Sequence, residues 1–400
     1  MPAPEGIPTA ASPAWSACDA LRALRSAPPD APVAALISAG AGEWSRRSLV
    51  TGLGERLSVD NPTDLPRFWT ALGPRRPDPG APGGWVGCLD YSLGALLEPA
   101  AGRPATGGPH AELWRASALP PAAAAGGGYS LAPLRSAVGE GVYTASVARA
   151  LAYIAAGDVY QVNLTHPLCA RVTGDTRALA ADAIERTGAW FGAYLHTPER
   201  TIVSTSPELL VRVTPEGRIS ARPVKGTRPL GAERELAASQ KDAAELAMIV
   251  DLMRNDLGRV CALGSVRVEQ SREIEGHAGV AHTVATVSGQ LRDDASWEDV
   301  LRAVFPAGSI TGAPKIRAMQ IIDQLEPEPR GLYCGSIAWI GDDGSMDLSV
   351  AIRTAVIRGG ELRYGVGAGI VADSDPQSEW RETLQKAEGF ARAVGSTLEG

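Results

Sequence analysis

Residues Tyr364–Ala387 read YGVGAGIVADSDPQSEWRETLQKA, and the way this stretch divides decides the fold. In its first part Gly365, Gly367 and Gly369 alternate with small or branched residues, the period of a β-strand. Ser374-Asp375-Pro376-Gln377 then gives a helix start with a capping box and an early proline. Within the helix, Glu379, Glu382 and Lys386 fall at i, i+3 and i+7 and share one face. Glycine lets a backbone approach a ligand, and a helix start offers unpaired N–H groups to an anion. Carboxylates just beyond are hard oxygen donors of the kind Mg²⁺ prefers. An anionic small molecule meeting a divalent metal is one reading. A solvated acidic face with an ordinary Glu382–Lys386 surface pair is the other.

The rest of the chain bounds the choice. Its 400 residues suffice for two domains or one large bilobed unit, and 44% hydrophobic content is ordinary for a globular protein. A net charge of −7 with no basic stripe excludes a nucleic-acid footprint. The start, MPAPEGIPTAASPAW, lacks a basic region followed by an apolar core, and the apolar run at 31–39 is too short to span a bilayer. Cys18, Cys88, Cys169, Cys261 and Cys334 are scattered without Cys-x-x-Cys spacing. That predicts reduced thiols in a cytoplasmic protein rather than a disulfide frame or a zinc site.

Residues 1–100 are weakly patterned and read as an N-terminal subdomain, with a helix expected over 17–25 and strands over 32–38 and 85–91. From 101 to 130 alanine, proline and glycine dominate, which reads as a connector or surface segment. Residues 140–398 are denser in signal. Helices are expected over 143–156, 242–261 and 314–324, the second with an apolar stripe of Leu246, Ile249, Val250 and Met253. Strands are expected over 159–164, 201–206, 209–213, 283–291, 335–340 and 348–356. Strands dominate and helices do not strictly alternate with them, so the fold class is α+β.

Several residues in this region can carry chemistry. Asp242 and Glu245 are a second i, i+3 carboxylate pair, able to converge with the first on one Mg²⁺ or to form another surface face. Lys225 stands before a glycine turn between two prolines, where desolvation would free its amine as a nucleophile; an exposed loop lysine is the alternative. Glu208 follows a proline at a strand break and is either a general acid or a turn residue. His282 lies in the apolar run VAHTVATVSG, as a hydrogen-bonded core histidine or a catalytic one. FPAGSITGAPK, 305–315, is a carboxylate cradle or a capping loop.

Taken as a set, these stretches resemble the chorismate-utilising enzymes, which include the anthranilate, aminodeoxychorismate, isochorismate and salicylate synthases. The matching pieces are GDVYQVNL (157–164), SPELLV (206–211), PVKGTRP (223–229), AELAMIVDLMRNDLGR (244–259), AHT (281–283), PAGSITGAPKIRAMQIIDQLEP (306–327), YCGSI (333–337), IRT (352–354) and GAGIVADSDPQSEWRET (367–383). They run in order from about residue 143 to 394 and are far more specific together than any short motif.

The resemblance implies a bilobed two-sheet β-sandwich with flanking helices and chorismate bound between the sheets with Mg²⁺. It implies Glu245 and Glu382 as direct metal ligands, and Asp242 and Glu379 acting through metal-bound water. Gly226, Thr227, Tyr333, Arg353, Gly367, Gly369 and Lys386 would hold the substrate carboxylates, with Ser309 and Thr311 near the ring. His282 matches an active-site histidine and Glu208 the general acid for loss of the C4 hydroxyl. Water-using members carry a lysine where this chain has Gln161, which is expected here among the substrate-binding residues. Lys225 stands where anthranilate synthases have alanine, which resembles the aminodeoxychorismate branch. That branch implies a Lys225 adduct at ring carbon C2, amination at C4, and a product leading to p-aminobenzoate for folate or a secondary metabolite. No glutaminase-like Cys-His-Glu segment is read in the chain, so ammonia is expected from a separate glutamine amidotransferase subunit in a heterodimer. Leu230, in place of an arginine, and GCLDY (87–91) depart from the family pattern.

Overall fold

A computed structural model of the chain describes residues 15–40, 44, 47–75, 83–102, 108–123, 126–277 and 280–399. In chain order the elements begin with α1 (Ala17–Ser26), β1 (Val33–Ile37), β2 (Leu49–Val59), α2 (Leu65–Leu72), β3 (Gly84–Leu89), α3 (Leu93–Leu97) and β4 (Ala111–Ser117). Then come β5 (Tyr129–Leu131), β6 (Leu134–Ser136), α4 (Glu140–Ala155), β7 (Gln161–Gly174), α5 (Thr176–Thr187), β8 (Phe191–His196), β9 (Thr201–Ser206), β10 (Leu209–Val213), β11 (Arg218–Arg222) and β12 (Val224–Pro229). The remainder is α6 (Glu233–Ala238), α7 (Gln240–Gly258), β13 (Arg267–His277), β14 (Val280–Gln290), α8 (Trp297–Val304), α9 (Gly308–Thr311), β15 (Gly312–Ala313), α10 (Lys315–Leu325), β16 (Ser336–Gly341), β17 (Met346–Val350), β18 (Thr354–Arg358), β19 (Glu361–Ile370), α11 (Pro376–Ala393) and β20 (Leu398–Glu399).

Pairing divides these strands into two halves. One runs β7–β19–β18–β9–β8–β1, all antiparallel. The other runs β4–β3–β16–β17–β10–β11–β14, with β12 and β13 also on β14. The long β2 joins them, pairing with β1 through Leu49–Gly52 and with β4 through Gly52–Val59.

Side-chain alternation shows how the halves stack. In β1 the residues Val33, Ala35 and Ile37 pack outward with α1, α5 and α11, whereas Ala34 faces the other way. In β16, Ala338 and Ile340 join the core under α2, α7 and α8, whereas Ile337 and Trp339 join Ala34. Leu195, Ile202, Val86, Cys88 and Trp114 complete that middle layer. The fold is thus an α+β sandwich of two face-to-face sheets with helices on both outer sides. Among the described residues no helix is long and apolar enough to cross a membrane.

Three expectations change. The 101–130 segment is not a connector throughout, because β4 occupies Ala111–Ser117 and pairs with β2 and β3, with Leu113 and Trp114 buried. The average composition hid this short apolar strand; 103–107 and 124–125 lie outside the described residues. Residues 15–100 are not set apart as a subdomain, since β1 pairs with β8 and β3 with β16. The start of the chain, 1–14, lies outside the described residues. The strand expected over 348–356 is two strands, interrupted at Ala351–Arg353, where Arg353 takes a left-handed backbone (φ 49°).

That interruption has a neighbour. β9 belongs to one sheet and β10 to the other, and the chain passes between them at Pro207-Glu208. β17 and β18 are divided in the same way. The two crossings lie side by side: Thr205 N–H donates to the Arg353 carbonyl (3.0 Å), Val350 N–H to the Glu208 carbonyl (3.0 Å), and the Ser206 hydroxyl to the Val350 carbonyl (2.6 Å).

Candidate active site

Beside these crossings lies a cleft of about 810 Å³, within the ~300–1,000 Å³ usual for small-molecule sites. Strand β19 forms one wall through Gly365, Gly367 and Gly369. Their bare faces are covered by side chains more than by ligand space. A Cβ on Gly365 would lie 2.1 Å from the Tyr333 ring, one on Gly367 2.7 Å from Thr165 Cγ2, and one on Gly369 2.6 Å from Gln161 Nε2. The alternating glycines therefore let three side chains lie flat across a strand.

The second wall comes from β12 and β14. Their register sets Thr227 opposite His282, and the Thr227 hydroxyl lies 2.9 Å from His282 Nδ1. Between Lys225 and Thr227 the register slips at Gly226, which has φ +68° and whose Cβ would meet the Asp242 carboxyl carbon at 2.9 Å. Only glycine suits that bulge. Lys225 faces the cleft with its side chain 12% exposed and Nζ 3.7 Å from Glu245 Oε2. Burial pulls its amine below the usual lysine value, opposed by the Glu245 charge.

Glu208 comes from the first crossing, is buried, and accepts a 2.6 Å hydrogen bond from the Ser309 hydroxyl. Burial pushes its carboxyl up to about 7, against the opposing pull of Ser309 and Lys225. The expected placement of Ser309 is thus refined: it lines the cleft, and its hydroxyl serves Glu208. Arg353 comes from the second crossing and lines the same cleft as Tyr333. Among the described residues no carboxylate forms an ion pair with it. A half-buried guanidinium on a left-handed backbone, with no ion-paired carboxylate among the described residues, is suited to a substrate anion.

The acidic helices meet the cleft unevenly. Glu245 and Asp242 of α7 and Glu382 of α11 line it. Glu382 Oε1 lies 2.9 Å from Lys386 Nζ, which also donates to the Gly367 carbonyl (2.8 Å). Burial alone would raise the Glu382 carboxyl, but Lys386, Lys241 and Lys225 hold it below its usual value. Asp242 is held by Arg228 (3.3 Å). Glu379 is turned inward: it is buried, accepts from the Ser374 hydroxyl (2.6 Å), and its carboxyl is raised by burial. The helix cap is Asp375, accepting from Ser378 N–H (2.9 Å), so Ser374 is not the cap of a capping box.

Among the described residues no three of His, Cys, Asp and Glu come together as a ready metal cluster. Glu245 and Glu382 nevertheless fit Mg²⁺, which commonly takes one or two protein carboxylates and completes its octahedron with water and substrate oxygens. Thr311 does not line the cleft; its hydroxyl donates to the Ala307 carbonyl (2.8 Å) within its own turn. The sequence missed Asn163 and Lys241, both at the cleft. Their spacing was a signal, two residues after Gln161 on a strand and four before Glu245 on a helix.

Comparison with known proteins now bears on this geometry. The profile of the family described as chorismate binding enzyme matches residues 110–392. The chain belongs to the chorismate-binding enzymes. Within that family it is 44% identical over 256 residues to anthranilate synthase component 1 of Aquifex aeolicus, covering 62% of this chain and 52% of that one. It is 45% identical over 256 residues to the aminodeoxychorismate synthase of Streptomyces griseus, covering 62% and 35%. The chain thus spans about half or less of the length of these curated relatives. Anthranilate synthase component I from Streptococcus pneumoniae superposes with a TM-score of 0.74 at 26% identity, over 91% of both chains. The menaquinone-specific isochorismate synthase of Escherichia coli, at 19% identity and a TM-score of 0.71, shares the chorismate-binding fold.

Proposed function

We propose that this chain is the large component of an aminodeoxychorismate synthase, converting chorismate and ammonia to 4-amino-4-deoxychorismate and water. The observation that carries the proposal is Lys225, a cleft lysine on β12 with its side chain largely covered, whose amine desolvation biases toward the neutral, nucleophilic form. In this reading Arg353, Tyr333 and Lys386 hold the substrate carboxylates; Glu245 and Glu382 would hold Mg²⁺, which when bound would supply positive charge to one of them. The Lys225 amine adds to C2, both ring double bonds shift by one position, and the C4 hydroxyl leaves as water with the Glu208 proton. Ammonia then adds at C4, both double bonds shift back, and the C2–N bond to Lys225 breaks, with the proton lost by the incoming nitrogen balancing the one taken up by the departing lysine. A tethered amine outcompetes ammonia at C2 because its effective concentration is far higher. A separate glutamine amidotransferase subunit is the proposed nitrogen source, and p-aminobenzoate supply the proposed use.

The test is a coupled assay of the purified chain with chorismate, Mg²⁺ and ammonium chloride. Chorismate should be consumed without fluorescent anthranilate, and added aminodeoxychorismate lyase should release p-aminobenzoate. A second reading, anthranilate synthase component I, is favoured by relatives of that name that match equally well. Anthranilate as the product would establish it and overturn the first.

A further inference from the structure

Four residues that line the cleft, Asn163, Thr165, Ile310 and Tyr333, hang on one residue that does not. Arg330 follows α10, and its side chain is 1% exposed. Its Nε and Nη2 donate to the two Glu326 carboxylate oxygens, at 2.9 and 2.7 Å, the fork of a paired guanidinium contact. Nη1 donates to the Ile310 carbonyl of α9 (3.0 Å), and Nη2 also to the Asn163 carbonyl of β7 (2.7 Å). Glu326 extends the hold by accepting from Thr165 N–H (2.8 Å), two residues further along β7. The Arg330 carbonyl accepts from Tyr333 N–H (3.2 Å), and the Tyr91 ring lies over the guanidinium at 4.5 Å.

Only arginine can do this. Its planar fork reaches acceptors on separate segments at once, whereas a lysine ammonium is a point charge on a flexible stem. The segment that needs the hold most is α9, a single turn of four residues, too short to keep its place unaided. Its own hydrogen bonds, from Ile310 N–H (3.4 Å) and the Thr311 hydroxyl (2.8 Å) to the Ala307 carbonyl, close the turn on itself. Pairing of β15 with β7 ties down only the residues after it. Ile310 directly follows Ser309, whose hydroxyl donates to Glu208 (2.6 Å).

We infer that Arg330 is a positioning residue: by fixing the Ile310 peptide against β7 it keeps the Ser309 hydroxyl on Glu208, and so governs the proton of the general acid. The acid role rests on the function proposed above; the hold on Ser309 does not. The other groups facing Glu208 are Lys225, the Val224 N–H and the Cys334 thiol, which burial keeps protonated.

The test is the pH profile of kcat/KM for chorismate consumption by the full chain with Mg²⁺ and ammonium chloride. It compares wild type, Arg330→Lys, Ser309→Ala and the double variant. Arg330→Lys keeps the charge beside Glu326 and removes the fork. It should lower kcat/KM roughly 10²-fold at pH 6, the cost of a misplacement of about 1 Å. It should also move the alkaline limb to higher pH, as Ser309→Ala does, and in the Ser309→Ala background it should move the limb no further. That background separates the route through Ser309 from any through Lys225 or Cys334. Arg177→Lys, which breaks a comparably buried fork on Asp175 at the start of α5, should lower the melting temperature and leave the limb in place. A limb at the wild-type pH in Arg330→Lys, or a shift that adds to that of Ser309→Ala, would overturn the inference. If Arg330→Lys does not fold, Glu326→Gln, which leaves the guanidinium and weakens its anchor, carries the same expectation and the same counter-results. Anthranilate as product would overturn the amination and leave this inference standing, since consumption is the readout. Independently of turnover, a crystal structure of the folded variant should show Ser309 Oγ beyond hydrogen-bond reach of Glu208; an intact contact there would sink the inference.

Discussion

Glu208 and Ser309 make a single titrating unit, and its direction can be stated. Burial raises the carboxyl to about 7, so the proton needed by a general acid is present below that pH and lost above it. Activity should therefore fall as pH rises through about 7, read as the alkaline limb of kcat/KM. The Ser309 hydroxyl stabilises the ionised form, so Ser309→Ala should move that limb to higher pH. Glu208→Gln should abolish the limb and cost roughly 10²–10⁴ in rate. For Lys225 the readout is product identity. Lys225→Ala should cut 4-amino product by roughly 10³-fold or more, given effective molarities of ~10⁵ M and above for a well-placed tethered group, with any residual product shifted toward anthranilate. An unchanged product and rate would remove Lys225 from the chemistry. The residue types of these groups were legible from the sequence, because a motif fixes identity and order. That Ser309 serves Glu208, and that Glu379 is turned away from the cleft, depends on packing between segments far apart in the chain.

Among the elements, α7 and α10 are joined by Lys315, the lysine of GAPK, which reaches Asp256 at 2.7 Å with both side chains largely buried. Lys315→Ala would leave a buried carboxylate uncompensated and should destabilise by about 3–5 kcal/mol in urea unfolding. Strands β6 and β7 and helix α11 meet at His166, which is buried, lies 2.9 Å from Ser136 Oγ and 2.8 Å from Thr383 Oγ1, and stacks on Trp380. Burial lowers its imidazole to about 4. The neutral ring is favoured in the fold, so its stabilisation is complete above about 6.5 and drains away as pH falls toward 4. The expected loss between pH 7 and 4.5 is about 2.4 kcal/mol at ~1.4 kcal/mol per pKa unit, measured by urea titrations at those two pH values. In His166→Gln this acid loss should disappear. Element boundaries were legible at β9 and β10, whereas α7 was legible as a helix but runs Gln240–Gly258 against the expected 242–261. The break at Ala351–Arg353 was not, because Ala, Ile and Arg carry no turn signal; the sheet crossing imposes it. Strand β4 was missed because two large apolar residues, Leu113 and Trp114, cannot outweigh the alanine, proline and glycine around them.

For the whole molecule, the α+β class followed from the excess of strands, but the stacking of the two sheets did not. It rests on packing between segments far apart in the chain, Ala34, Leu195 and Ile202 of one half with Val86, Ile337 and Trp339 of the other, which leaves no local trace in the sequence. The side-by-side crossings carry a mechanical consequence. Glu208 and Arg353 are each placed where the chain steps from one sheet to the other, so a small molecule touching both acts as a rivet between the layers. Chorismate should accordingly raise the melting temperature and slow amide exchange at residues 205–209 and 350–354 together, while helices remote from the seam, such as α2, exchange as before. Protection confined to one crossing would mean that the ligand sits to one side of the seam and leaves the sheets free to slide.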